Sequence, residues 1–163
     1  MAEKLKLYLD TTVFNYYFLD DPGREDDRKD TMLLFEQIGR GSFDAYYSDL
    51  VKAEIDECEE PKRTKMLRLI ERYSVRPISV YHGYEDLAEL YLTRRAIPES
   101  KRDDAIHVAL ATVNSLDVVL SWNRRHLVKV KTIFAINEIN EAKGFGRLLV
   151  TTPTEVIDYE ENP

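Results

Sequence analysis

The sequence predicts an α/β fold, a three-layer α/β/α sandwich around a mostly parallel central sheet. Three observations predict it. Strand-like segments alternate with helical ones along nearly the whole chain, the pattern of crossover connections between parallel strands. The segment Val118-Val-Leu-Ser is apolar throughout its strand, as expected where both faces of a sheet are covered. The chain has 163 residues, enough for one core, with no internal repeat, low-complexity stretch or long linker, so residues 1–163 read as a single domain.

Taken in order, Leu5 to Leu9 is a short apolar strand ending at Asp10, and Thr11-Thr-Val-Phe-Asn starts a short helix. Asp20 to Asp27 reads as a polar loop broken by Pro22 and Gly23. Asp30 to Ile38 places Met32, Leu33, Leu34, Phe35 and Ile38 at helical spacing, and Gly39 and Gly41 end the helix. Phe43 to Tyr47 is the second strand. Ser48 or Asp49 caps the next helix, with Val51, Glu54, Ile55 and Cys58 on successive turns. Pro61 precedes a helix whose core face is Met66, Leu67, Leu69 and Ile70; Val75 to Val80 is a strand, Tyr84 to Arg95 a helix, and Ile97 to Arg102 a loop. Asp103 to Leu116 is a helix, with Ile106, Leu110, Ala111 and Val113 marking burial. After the Val118 strand come a helical turn over Asn123 to Leu127, a helix from Thr132 to Lys143 ended by Gly144, a last strand at Leu148-Leu-Val, and a short terminal helix.

Composition narrows the class. Hydrophobic residues make up 44% of the chain, ordinary for a globular domain, and no run of 18 apolar residues predicts a membrane span. Met1-Ala-Glu-Lys-Leu-Lys lacks the apolar core and cleavage site of a signal peptide, and the single cysteine, Cys58, cannot form an internal disulfide. These features predict a cytoplasmic location. The net charge of −7 is unfavourable for gripping nucleic acid electrostatically, unless some of the acids hold cations.

Three acids fall where the carboxyl end of a parallel sheet is expected. Asp10 ends the first strand, Glu54 lies early in the helix after the second, and Asp104 opens the helix feeding the Val118 strand; Asn123 follows that strand. Carboxylates gathered from separate elements repel one another unless a cation joins them, and hard oxygen donors suit Mg²⁺ or Mn²⁺. Such an ion can activate water and neutralise charge on a phosphodiester. The hydroxyls of Thr11, Thr12 and Ser121 are placed to orient the carboxylates or hold water. Each acid also has a bland reading. Asp10 and Asp104 sit where helix caps and first-turn acids are favoured, and Glu54 alone would pass for a solvated helix residue.

At these residues the sequence resembles the PIN-domain family, in particular its VapC-like branch. Leu7-Tyr-Leu-Asp-Thr-Thr-Val-Phe-Asn is similar to the family's first motif, Ser48-Asp-Leu-Val-Lys-Ala-Glu-Ile to its second, Asp103-Asp-Ala-Ile-His-Val-Ala-Leu-Ala to its third and Leu120-Ser-Trp-Asn-Arg-Arg-His-Leu to its fourth. The resemblance covers nearly the whole chain. It implies a Mg²⁺- or Mn²⁺-dependent endoribonuclease with Asp10, Glu54 and Asp104 as the acidic triad, Asn123 as a supporting or water-mediated ligand, and Thr12 and Ser121 in support. It further implies a homodimer, and an antitoxin protein as partner if the chain is the toxin of a toxin–antitoxin pair. Many relatives carry Asp at the fourth position; Asn123 adds no charge there, which favours one firmly bound metal over two.

Other residues carry weaker expectations. Lys101, Arg102, Arg124 and Arg125 flank the acids and are candidates for the RNA backbone, against solvated surface charge. His107 and His126 read more readily as satisfied structural residues than as bases or ligands. Trp122 and the tyrosines read as core before base-stacking platforms. Two alternatives compete: a PIN-like binding scaffold without catalysis, and a HAD-type phosphatase, which Thr12 argues against because such enzymes carry a second Asp two positions after the first. No Gly-rich turn follows the first strand, which excludes a dinucleotide fold.

Overall fold

The computed structural model describes residues 3–159 and forms an α/β fold around a five-stranded, all-parallel sheet in the order β3-β2-β1-β4-β5. The strands are β1 (Lys6–Leu9), β2 (Asp44–Tyr47), β3 (Arg76–Pro77), β4 (Val118–Leu120) and β5 (Leu149–Thr151). The helices are α1 (Thr11–Tyr16), α2 (Glu25–Gly39), α3 (Asp49–Asp56), α4 (Lys62–Arg72), α5 (Tyr84–Thr93), α6 (Arg102–Val113) and α7 (Val130–Ala142). Helices α1 to α4 pack together, as do α5, α6 and α7. Right-handed crossovers put these two sets on opposite faces of the sheet, giving three layers.

The central strands are the most deeply buried. Leu7, Tyr8 and Leu9 of β1 and Val119 and Leu120 of β4 have no exposed surface, and Tyr8 lies in register with Tyr46 on one side and Val119 on the other. From β1 the chain proceeds to β2 and β3 in one direction, then returns through α5 and α6 to β4 and β5 in the other. Such a reversal of strand order opens a crevice beyond the carboxyl ends of β1 and β4.

Several elements depart from the sequence reading for local reasons. Helix α2 begins at Glu25 rather than Asp30. The Asp21 side chain accepts from Gly23 N to shape a 3₁₀ turn at Pro22–Arg24, and Glu25, Asp26 and Asp27 then occupy the first helical turn, where acids suit the helix dipole. Strand β3 shrinks to two residues because Pro77 has no N–H for the ladder, although Ile78 N still donates to Tyr47 O at 2.9 Å. Asn123 to Leu127 is a single turn closed by Leu127 N to Asn123 O at 3.1 Å, with no continuing helix. Helix α7 starts two residues early, at Val130, and Gly144 after it adopts φ +81°. The terminal helix is a 3₁₀ turn at Pro153–Glu155. No helix among the described residues is long and apolar enough to cross a membrane.

Candidate functional site

Asp10 is the first residue past β1. Its backbone N donates to Leu120 O at 3.1 Å, tying the ends of β1 and β4 together at the crevice. Its Oδ1 accepts from Thr12 N at 3.0 Å and from the Thr12 hydroxyl at 2.5 Å, so Asp10 does cap α1. The same Thr12 hydroxyl accepts from Trp122 N at 2.9 Å, linking the turn after β1 to the turn after β4. Asp10 is only 2% exposed. Burial raises its pKa, opposed by the charge of His107 and the hydroxyls of Ser121 and Thr12.

Asp104 reaches the crevice from the first turn of α6. Its Oδ2 accepts from Asn123 Nδ2 at 3.0 Å. Burial, together with the nearby charges of Asp10 and Glu54, pushes its pKa up to about 6, against the lowering effect of His107 and Lys101. Asn123 is itself held: its N donates to Ser121 Oγ at 3.0 Å, and its Oδ1 accepts from His126 N at 3.1 Å. In this arrangement Asn123 orients Asp104 and its own oxygen is engaged.

Glu54 lies in the second turn of α3, which Ser48 caps by accepting from Val51 N at 3.2 Å. Its Oε1 accepts from the Thr11 hydroxyl and from His107 Nε2, both at 2.8 Å. Burial would raise the Glu54 pKa, but the bond and charge of His107 and the Thr11 hydroxyl outweigh it and the pKa is lowered. His107, one turn after Asp104 on α6, is 3% exposed. Its Nδ1 meets the Tyr8 hydroxyl at 2.5 Å, and that hydroxyl meets Ser48 Oγ at 2.7 Å. Burial disfavours the imidazolium, yet Glu54, Asp10 and Asp104 together raise the His107 pKa. A hydrogen-bonded chain, from half-buried Glu54 through buried His107 and Tyr8 to Ser48, therefore runs from α3 through α6 and β1 back to the cap of α3.

Sequence reasoning sets His107 aside as a satisfied structural residue and does not single out Tyr8. His107 is satisfied at both nitrogens, and it is also the group that holds Glu54. The signal for Tyr8 is present in the chain: it lies two residues before Asp10, so both side chains share one face of the strand.

Among the described residues no three His, Cys, Asp or Glu side chains stand together as a ready-made metal cluster. The donor chemistry nonetheless fits a hard divalent cation. Asp10 and Asp104 are buried oxygen donors with raised pKa values, and the charge of Asp10 adds to the cost of ionising Asp104, a cost that a cation relieves. Glu54 is already bound by Thr11 and His107, so Asp10 and Asp104 carry the fit.

The basic candidates separate. Arg124 makes two 2.9 Å bonds to Asp27 and lies 4.8 Å over the Trp122 ring, while Arg102 is paired with Glu89. Arg125 is exposed, and Lys101 acts electrostatically on both Asp104 and His126. Trp122 is 4% exposed, stacked on Tyr16 at 5.2 Å and bonded to Thr31, which makes it core. Beside the acids, an open groove of about 680 Å³ is lined by Thr12, Arg24, Asn123, Arg125 and His126 among others.

No family model matches the chain. No curated protein matches it in sequence.

Proposed function

We propose that the chain is a PIN-type, Mg²⁺- or Mn²⁺-dependent endoribonuclease. The observation that carries this reading is geometric: Asp10, bonded through its backbone N to Leu120 O, and Asp104, bonded to Asn123 just past β4, both stand at the carboxyl ends of β1 and β4. Buried acids whose pKa values are perturbed by burial and a specific charged neighbour in a cleft are candidates for a functional site. The motifs around Asp10, Glu54, Asp104 and Asn123 supply the resemblance that names the chemistry. A role as the toxin of a toxin–antitoxin pair rests on that resemblance alone.

Asp10 and Asp104 would hold the cation, which supplies charge neutralisation at the phosphate and a lowered pKa for an attacking water. Thr12 and Asn123 fix the two carboxylates by hydrogen bonds. His107 keeps Glu54 ionised and in place. Lys101 and Arg125 would meet phosphate oxygens, and Thr12 and Asn123 continue the groove to the acids. Attack by water on phosphorus, with the P–O3′ bond breaking and the 3′-oxygen leaving as a hydroxyl, would give a 5′-phosphate and a 3′-hydroxyl and needs no covalent intermediate.

A second reading, a PIN-like scaffold that binds without cleaving, is favoured by one feature: Glu54 is engaged by Thr11 and His107 instead of standing open. End-group analysis of single-stranded RNA incubated with the protein and Mn²⁺ separates the readings. Cleavage to 5′-phosphate ends supports the nuclease. Intact RNA supports the scaffold, and 2′,3′-cyclic phosphate ends would overturn the water mechanism.

A further inference from the structure

Arg124 stands beside the acidic crevice, yet its charge is answered within the protein. Its Nη1 and Nη2 donate to Asp27 Oδ2 and Oδ1, both at 2.9 Å, the paired geometry in which a carboxylate meets the edge of a planar guanidinium. Those bonds leave the two faces of the guanidinium free. Cζ lies 4.8 Å over the ring of buried Trp122, and Trp122 stacks on Tyr16 with ring centroids 5.2 Å apart and planes 8° apart. Trp122 is pinned at its own edge, where Nε1 donates to Thr31 Oγ1 at 3.0 Å. Tyr16, Trp122 and Arg124 thus form three layers, held from the side by Thr31 and Asp27. The outermost layer is open: the Arg124 side chain is 52% exposed and lines the same groove as Thr12 and Asn123.

The turn after β4 sets where this surface stands. Arg124 N donates to Trp122 O at 2.8 Å, and Leu127 N and Val128 N both donate to Asn123 O, at 3.1 and 3.0 Å. The turn closes around Asn123, whose amide holds Asp104. Consecutive Cα atoms are about 3.8 Å apart, so the guanidinium and the amide that orients the acid are immediate neighbours. Asp27 offsets the Arg124 charge and takes one donor from each terminal nitrogen, which weakens Arg124 as a phosphate ligand. Its flat cationic face is unaffected, and nucleobases stack on such faces.

We infer that Arg124 is a stacking platform for one unpaired nucleobase of an RNA strand, that of a nucleotide next to the phosphate held at Asp10 and Asp104. The position of the strand rests on the nuclease reading; the platform itself rests on the Tyr16–Trp122–Arg124 layers and the Asp27 anchor. A base inside a duplex has both faces covered by its neighbours, so only a base splayed out of its stack can lie on the guanidinium, and the site selects single strands. Every base has a π face, so the platform demands an unpaired base without choosing its identity.

Binding of a short single-stranded RNA in EDTA, where no metal-dependent cleavage intervenes, tests the platform, with the same strand carrying one abasic nucleotide at each position in turn. The wild type should bind the intact strand about tenfold more tightly than the strand that is abasic at one particular position, and more tightly than a duplex of the same sequence. Arg124→Lys keeps the charge and removes the flat face. It should bind the intact strand about tenfold more weakly and no longer distinguish that abasic position, with its folding checked by circular dichroism. A merely structural defect would instead weaken intact and abasic strands alike. An intact strand that fails to bind, an abasic series without effect on the wild type, an Arg124→Lys protein that binds like the wild type, or one that weakens both strands equally would each overturn the platform. Cleavage of the intact strand with Mn²⁺ is read separately: cleavage with no abasic effect removes the platform alone, and an abasic effect without cleavage upholds the platform and removes the nuclease reading alone.

Discussion

Replacing Asp104 with Asn should make the metal-free protein more stable, and the structure sets the size of the gain. The carboxyl is held at about 6 in the fold, against an ordinary value of 3.8. Asp104 is mostly buried, so the difference converts to about 3 kcal/mol of destabilisation once the group is ionised. The sign follows from proton binding. Below about pH 4 the carboxyl is protonated in both the folded and unfolded chain and contributes no difference. Between about pH 4 and about pH 6 the unfolded chain has released the proton and the fold still holds it, so wild-type stability falls by about 1.4 kcal/mol per pH unit. Above about pH 6 the full cost remains. The amide that D104N introduces cannot ionise, and its oxygen can still accept from Asn123. In EDTA, D104N should therefore exceed the wild type by about 3 kcal/mol at about pH 8, or about 6–12 °C in Tm, and match it near pH 4. Thermal and urea unfolding across that pH range measure the difference. A hundredfold excess of Mn²⁺ over Kd should nearly close the gap, adding about 2.7 kcal/mol to the wild type and far less to the variant. A D104N protein less stable than wild type at about pH 8, or a gain that persists unchanged near pH 4, would mean that the buried charge of Asp104 carries no such cost.

Two further outcomes are expected. His107→Ala leaves the Glu54 carboxylate with only the Thr11 hydroxyl and the buried Tyr8 hydroxyl with only Ser48, and should cost about 2–4 kcal/mol in urea unfolding. Because the Glu54 pKa is lowered from 4.5 and the His107 pKa is raised from 6.5, the cost should be greatest between those values and decline on either side; a cost that is flat with pH would show that His107 only fills space. Arg125→Ala should leave the fold unchanged, raise KM for RNA and reduce the slope of log affinity against log salt by about one, whereas an unchanged slope would remove Arg125 from the RNA path.

The fold is visible in the sequence because strand-like and helical segments alternate along nearly the whole chain and the central strands are continuously apolar. The apolar segments at Leu7 and Val118 bound the site from both sides, and the residue immediately past the first strand, Asp10, falls at the topological switch point. Boundaries are less visible where local side-chain bonds decide them. The Asp21–Gly23 turn advances the start of α2, and Pro77 cuts β3 short. Within the site, the three acids and Asn123 can be placed from their positions after strands and at helix starts. Their partners cannot. The bond from His107 to Glu54 joins residues 53 positions apart, and that from Tyr8 to His107 spans 99, so both pairings exist only once α3, α6 and β1 meet. The layers beneath Arg124 lack a sequence signal for the same reason: Tyr16 and Asp27 meet the turn after β4 only in the fold.

Whether Asp10 and Asp104 hold the cation that cleaves RNA is decided by one titration. Cleavage of a single-stranded RNA is followed at fixed pH while Mn²⁺ is added to the wild type and to the Asp10→Asn variant. The wild type should show saturable activation that EDTA abolishes. Asp10→Asn should be at least about 100-fold slower at every metal concentration, a loss of about 2.7 kcal/mol or more in transition-state stabilisation. Cleavage that survives EDTA, or an Asp10→Asn protein as active as the wild type, would contradict the assignment of the two carboxylates.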